Sequence, residues 1–537
     1  MINWHHYSKN LPALQFVLLN IGLGIGHFIA VLSAGAFLPM LPYVAGTIGE
    51  GLAYAVWGQS NYLAAMGAAF LIARPLMKRF GARNTAIAAY LLFALSCCDV
   101  LLSTPHYTAY VVARTLQGFS AGLSIIPSLF LLMEQYKPAK HKFAIALWSF
   151  AAFTPFSVGP ALGGFFTYIV GDWRVLFVVF LVLSLLVTLC IGCFIPNNPI
   201  PHQHTSVQNN KHHYYPLKSR VLGFACVFIG ILCLQGIFNL GIITSFSSAT
   251  DTLWIMSAVV VLAMWLFWVI NSTSRHPLIE LSIFKYRNYT LGLLLTCLAF
   301  MCVQAAIVQY IIRMQTIEGF TAWHVGLLFL PIFLFSKPLS VVTQHIIHRG
   351  YDPRFLASLS FLTFAITFWW IGGYMRPATW QDLLWPQFLE GAALGVFLVA
   401  MNSVTLSNVP ESLQLQAVDM LNGMRTVAAG LAISISDIVW DRHVVYVRDH
   451  LLASDSGNMS RFLLQHHSTS PIDKAMLHQV QMQLVKHSGW ITFNSFFQWF
   501  AIAFIIFMVA VWFINPLHLV HTNKNQDLVV ESLGEEP

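Results

Sequence analysis

The chain is a succession of apolar runs, each about as long as a lipid bilayer is thick. A helix that crosses roughly 30 Å of hydrocarbon needs about 20 mostly apolar residues. By that measure, candidate spans fall at residues 16–38, 52–72, 85–103, 108–132, 143–166, 175–195, 221–239, 252–270, 290–312, 323–341, 355–375, 383–406, 419–439 and 491–514. The expected structure is therefore all-α, with fourteen transmembrane helices. In hydrocarbon each segment must satisfy its own backbone polar groups, and a helix does so.

Composition excludes the soluble alternative. Hydrophobic residues make up 57% of the 537 positions and charged residues 9%, against about a quarter charged in a soluble domain. Mean hydropathy is +0.68. The net charge of +7 is spread over short loops, so no nucleic-acid partner is expected. The eight cysteines all lie in apolar runs, which is not a disulfide framework. Cys190 and Cys193 have C-x-x-C spacing, but their apolar flanks make them small residues of a lipid-phase helix. The first apolar run is followed by Pro39 and Pro42 rather than a cleavage site, so it is expected to stay in place.

Orientation follows from the bias of Lys and Arg toward cytoplasmic loops. With the N-terminus inside, the inner segments carry Arg74, Lys78, Arg79 and Arg83, then Lys137, Lys140 and Lys142, Lys218 and Arg220, Lys285 and Arg287, and Arg349 and Arg354. The outer loops and helix ends carry only Arg114, Arg174, Arg313 and Arg376, apart from a long loop at 441–490. Both termini are expected in the cytoplasm, and the protein in the plasma (bacterial inner) membrane. Residues 196–220 form a polar linker containing His202, His204, His212 and His213. No carboxylate or cysteine accompanies them, so no metal site is expected.

Three motifs carry more specific information. Span 2 ends in a basic turn containing Leu76, Lys78, Arg79, Gly81 and Arg83. Span 4 opens with Arg114, followed by Gln117 and Gly118. An arginine at the centre of a membrane helix costs roughly 2.5–3.5 kcal/mol on insertion scales, so it needs a polar partner or cavity. Span 5 contains Gly159, Pro160, Gly163 and Gly164, residues that permit close packing and a bend.

In this order and spacing the three runs resemble motifs A, B and C of the major facilitator superfamily. The fourteen spans resemble its EmrB/QacA-type drug:proton antiporters. Pro277–Leu281, Phe284–Lys285, Arg287–Tyr289 and Trp385–Phe388 extend the likeness to nearly the whole chain. The resemblance implies two six-helix bundles plus two extra helices, working by alternating access. The divisions it implies are a first bundle at 1–195, the linker at 196–220 and two extra helices at 221–270. A second bundle at 271–515, with its outer loop at 441–490, and a cytoplasmic tail at 516–537 complete the chain. Motif C implies proton-driven export of a small amphipathic compound (a drug, a siderophore or another metabolite). The outer loop leaves room for a periplasmic adaptor. His348–Arg354 is a faint second copy of motif A.

Two departures bear on mechanism. Arg74 stands where motif A begins with glycine, and Ser33 stands where the family has a helix-1 aspartate. A serine carries no proton at physiological pH, so coupling needs another group. Glu390, mid-span beside Gly391 and Gly395, is the first choice, followed by His27 and Asp99. Arg114 is expected to take part in coupling. Arg425 is a second cation within a span, either paired with Glu390 or Asp419 or facing an anionic substrate. Asp419 and Glu134 are expected to cap helices or complement their dipoles. No nucleotide-binding loop and no HExxH motif is present, so neither an ATP-driven pump nor an enzyme is expected, and no cofactor. The alternative is a facilitator or importer, favoured by the missing aspartate. A non-transporting scaffold has less support.

Overall fold

The computed structural model describes residues 13–102, 106–136, 158–196, 217–244, 250–274, 276–374, 379–454 and 471–516. Sixteen helices are used below: α1 (Ala13–Ala36), α2 (Leu41–Ile48), α3 (Leu52–Phe80), α4 (Ala82–Leu102), α5 (Tyr107–Gln135), α6 (Val158–Ile169), α7 (Arg174–Phe194), α8 (Leu217–Thr244), α9 (Thr250–Thr273), α10 (Arg287–Thr316), α11 (Ala322–Leu327), α12 (Leu330–His348), α13 (Pro353–Ile371), α14 (Trp380–Leu406), α15 (Glu411–Ser454) and α16 (Pro471–Ala510). Eleven described helical stretches are long and apolar enough to cross a membrane. The expected spans at 52–72 and 419–439 fall in α3 and α15, which are not among the eleven because their sequences carry more charged and polar residues. The expected span at 143–166 is described only from Val158.

Prolines explain the broken rods. The first expected span stops at Ala36, and a 3₁₀ turn at Leu38–Met40 precedes α2. Pro39 and Pro42 lack the N–H that would continue the ladder. The expected span 323–341 is likewise split into α11 and α12 ahead of Pro331. Two other expectations are too short. The expected helices at 419–439 and 491–514 run on as α15 and α16 into the expected outer loop, whose residues 455–470 lie outside the described residues.

The helices pack as two sets. In the first, α3 lies along α5, α4 against α5 and α7, and α1 against α7 and α5. In the second, α14 lies between α12 and α13, α13 against α16, and α10 against α15. Phenylalanines dominate the second core: Phe361, Phe364, Phe368, Phe397, Phe497 and Phe504 are at most 1% exposed. Exposed Trp254, Trp265 and Trp268 on α9 give that helix a largely apolar outer face, as lipid contact requires.

The sets meet along α3 and α15. Gly67 and Gly423 bring the two backbones together, since a Cβ at Gly423 would lie 2.8 Å from the Gly67 carbonyl oxygen. Helix α8 lies against both. Its buried Asn239 exchanges hydrogen bonds with Ser60 of α3 and accepts one from Ser434 of α15 at 2.7 Å, while Gln235 bonds the same Ser434. The first of the two inserted helices is thus joined by side chains to both sets.

The turn between α12 and α13, expected as a second copy of motif A, shares one backbone feature with the basic turn. Gly350 takes φ +95° there, as Gly81 takes +85° between α3 and α4. A side chain rarely adopts that conformation. Asp352 caps α13 by accepting from the Arg354 N–H.

Candidate functional site

The most polar interior site surrounds Arg114 on α5, which is fully buried. Its Nη1 donates to Ser33 of α1 at 3.1 Å and to the Gln117 carbonyl one turn along at 2.5 Å. Its Nη2 donates to Gln59 of α3 at 2.7 Å. Gln59 in turn donates to the Ala34 carbonyl, and Gln117 to Cys97 of α4. The guanidinium carbon lies 4.0 Å from the Phe37 ring centroid and 4.4 Å from that of Tyr62. Neutral acceptors and aromatic faces therefore solvate a buried cation, and among the described residues none of its hydrogen-bond partners is a carboxylate. Charge-assisted bonds and ring quadrupoles offset part of the desolvation. Ser33 thus stands directly against the arginine of motif B.

The remaining motif residues set helix spacing. A Cβ on Gly118 would strike the Tyr62 carbonyl, and one on Gly163 the Ala36 carbonyl. A Cβ on Gly159 would lie 2.7 Å from Ala36 N. Gly164 abuts the Ala322 carbonyl of α11, and the Pro160 carbonyl abuts Gly326. The motif C helix therefore joins the end of α1 to α11, a contact between the two sets. The run Gly118–Gly122 also spells G-x-S-x-G. It lies within α5, with no strand before it, and Ser120 is turned onto the Gln117 carbonyl. It therefore makes no nucleophile elbow.

In the basic turn, Lys78 and Arg79 are exposed while Leu76 and Arg83 are half-buried. Arg83 donates to the Gly192 carbonyl at the C-terminal end of α7, where a cation complements the helix dipole. Arg74 forms a two-point ion pair with Asp419 of α15, Nε–Oδ2 2.5 Å and Nη2–Oδ1 2.9 Å.

Comparison with known proteins agrees with this architecture. The model of the Major Facilitator Superfamily matches residues 23–433. The chain belongs to that superfamily. Among similar curated proteins, the fatty acid resistance protein FarB of Neisseria gonorrhoeae is 27% identical over 512 residues, covering 94% of this chain and 96% of FarB. The multidrug export protein EmrB of Escherichia coli K12 is 27% identical over 527 residues, covering 95% and 97%. A solved structure of an auto-inhibited POT-family peptide transporter superposes with TM-score 0.56 at 14% identity, covering 92% of this chain and 96% of that one. At that identity it shares the fold. The protein is an integral membrane transporter of this superfamily, similar over nearly its whole length to EmrB.

Within this superfamily fold the candidate coupling residues are dispersed. Glu390 lies in α14 and is 3% exposed, with its Oε1 buried and making no hydrogen bond among the described residues. Gly391 and Gly395 on the same helix let α12 approach, since Cβ atoms there would meet the Ile332 and Ser336 carbonyls. His27 is fully buried in α1. Asp99 is half-buried near the end of α4, and the hydrogen bonds of Arg114 do not include it.

Three expectations from sequence are corrected. Arg425 pairs with neither Glu390 nor Asp419. Its Nη2 donates to Asn422 at 3.1 Å, its guanidinium carbon lies 5.2 Å from the Phe300 ring centroid, and its buried Nη1 has no partner among the described residues. Asp419 does not cap a helix. It lies two turns inside α15, which begins at Glu411, and Arg74 takes its charge. Glu134 lies in the last turn of α5, where the dipole disfavours rather than favours a carboxylate.

Sequence reasoning missed three arrangements. Arg313 is a buried partner of Asp437 at 2.8 Å with its guanidinium over Trp440, rather than an outer-loop cation. The Gln59 contact and the Asn239 cluster were also missed. The run Gln59-Ser60-Asn61 in the middle of an apolar helix was the available signal, because polar residues at that depth need interhelical partners.

Proposed function

We propose that this chain is a proton-coupled exporter of small amphipathic organic compounds, such as a drug, a siderophore or another metabolite, acting by alternating access in the plasma (bacterial inner) membrane. One observation carries the coupling: Glu390 is a carboxyl buried in the middle of α14, with one oxygen lacking any hydrogen-bond donor. No ion pair to it occurs among the described residues. Such a group has no cation to hold it permanently ionised, so it can take and release a proton. Arg114 and its motif B neighbours support the movement, with His27 and Asp99 as further candidate groups. The names of the relatives, a multidrug export protein and a fatty acid resistance protein, support amphipathic cargo.

The finer architecture belongs to the same reading. Helices α3, α6 and α15 complete fourteen spans alongside the eleven apolar stretches. The Lys and Arg asymmetry puts both termini in the cytoplasm. The bundles occupy 1–195 and 271–515, with the inserted helices at 221–270 between them. The long extensions of α15 and α16 beyond their apolar parts offer a periplasmic adaptor a surface at 441–490.

The test is substrate-evoked proton movement in inverted vesicles, read by a pH-sensitive dye. Proton movement in the parent that is lost in Glu390→Gln supports the reading. Substrate flux without proton movement in the parent would replace it with facilitated transport. That second reading is favoured by Ser33, a non-titrating group against Arg114.

A further inference from the structure

Arg425 differs from the other interior arginines in what it lacks. Arg114 has three side-chain acceptors, and Arg313 has a carboxylate and an amide. Among the described residues, Arg425 has one neutral acceptor, Asn422, and one aromatic face, Phe300, while its buried Nη1 donates to none of them. The acids that could have served it are taken or elsewhere. Asp419 holds Arg74, Asp437 holds Arg313 and Glu318 holds Lys486. Glu390 makes no ion pair with it.

The position suits a ligand. Gly423, two residues earlier, packs on Gly67 of α3, while the guanidinium points to α10 at Phe300. Arg425 therefore sits at the α10–α15 seam, beside the α3–α15 seam along which the two sets meet. It is also half-buried rather than sealed. An interior guanidinium with a spare donor favours an anion. Its planar fork matches a carboxylate, and low polarity around it strengthens the bond. The ring of Phe300 and the apolar wall of α10 suit a hydrophobic body. A cationic amphiphile would meet repulsion at the same place.

We propose that Arg425 is the head-group site for an amphipathic carboxylate and that the protein selects anionic over cationic amphiphiles. This rests on the exporter reading for its purpose but not for its test. Full-length protein in nanodiscs would be titrated calorimetrically with three probes sharing one apolar body: 2-naphthoate, 2-naphthylmethanol and 2-naphthylmethylammonium. The parent is expected to bind 2-naphthoate at least tenfold more tightly than the ammonium compound. Arg425→Gln is expected to lose that preference while still binding the neutral alcohol, which also reports that it has folded. Arg425→Lys should keep part of it. Equal binding of the two ions, no binding of 2-naphthoate to the parent, or an unchanged preference in Arg425→Gln would overturn the proposal. If 2-naphthoate binds through Arg425 but vesicles do not export it, the exporter reading fails and the site stands. Export indifferent to charge and to Arg425 removes the site alone.

Discussion

Arg74 and Asp419, 345 residues apart, close a two-point ion pair between α3 and α15. Each departs from what sequence alone suggests: Arg74 replaces the glycine that opens motif A, and Asp419 is a carboxylate two turns inside its helix. Lys78 adds a second positive charge to the field at Asp419. The side chains are 23% and 12% exposed, between the weak surface pair and the costly buried one. Losing either partner should cost about 2 kcal/mol. Hydrogen exchange should quicken at 70–80 and 411–420 in Arg74→Ala and Asp419→Ala. The exchanged double variant, Arg74→Asp with Asp419→Arg, should recover most of the protection. A double variant worse than either single one would deny that the pair holds these ends together.

Ser33→Asp places a carboxylate where Ser33 Oγ now lies 3.1 Å from Arg114 Nη1. It would supply the anion this buried guanidinium lacks, and a charge-assisted bond is worth about 1.5–3 kcal/mol. The melting temperature at pH 7 should rise, and the gain should shrink as acid protonates the new carboxyl. A lower melting temperature at pH 7 would mean that the neutral cluster is already the better solution.

Glycine spacing separates two kinds of position. Gly118→Ala puts a methyl into the Tyr62 backbone, where neither side can yield cheaply, and should destabilise by about 1–3 kcal/mol. Gly46 lies in α2 with nothing within 4 Å of its would-be Cβ, so Gly46→Ala should stabilise by about 0.5 kcal/mol. Thermal unfolding of the two purified variants compares them directly. Equal effects would mean that α3 and α5 are not in close contact at Gly118.

Asp352 should give the loop before α13 an acid-sensitive anchor. Burial acts to raise its carboxyl, but the hydrogen bonds and charge of Arg354 outweigh it and hold the group below its ordinary range. The folded state therefore binds this proton less readily than the unfolded chain does. Its stabilisation is complete above the ordinary carboxylate range and is lost as pH falls through that range. Asp352→Asn keeps an N-cap and should flatten the dependence below about pH 4. Asp352→Ala should also cost about 1 kcal/mol at pH 7. Melting temperatures from pH 3 to 7 measure both, and an identical slope in Asp352→Asn would dismiss the anchor.

Much of this protein was legible from the chain. Apolar runs of bilayer length require helices, because hydrocarbon leaves the backbone no other way to satisfy its N–H and C=O groups. Motif A, B and C residues announced the superfamily, and the run around Arg114 marked a cation that must find polar company. Pro39 stands where the first expected rod ends, whereas the break ahead of Pro331 divides a span expected to be continuous. The sequence also shows that Ser33 cannot replace a titrating aspartate.

Partnership was decided only by tertiary structure. Arg74 with Asp419, Arg313 with Asp437, Arg114 with Gln59, and Asn239 with Ser60 and Ser434 join residues from 55 to 345 positions apart. Nothing in local periodicity encodes such distances. Which face of a helix meets which neighbour depends on where glycines allow backbones to touch, and that is settled by packing. The same cause left Arg425 without the acid that its sequence neighbourhood seemed to offer: packing had already assigned Asp419 to Arg74.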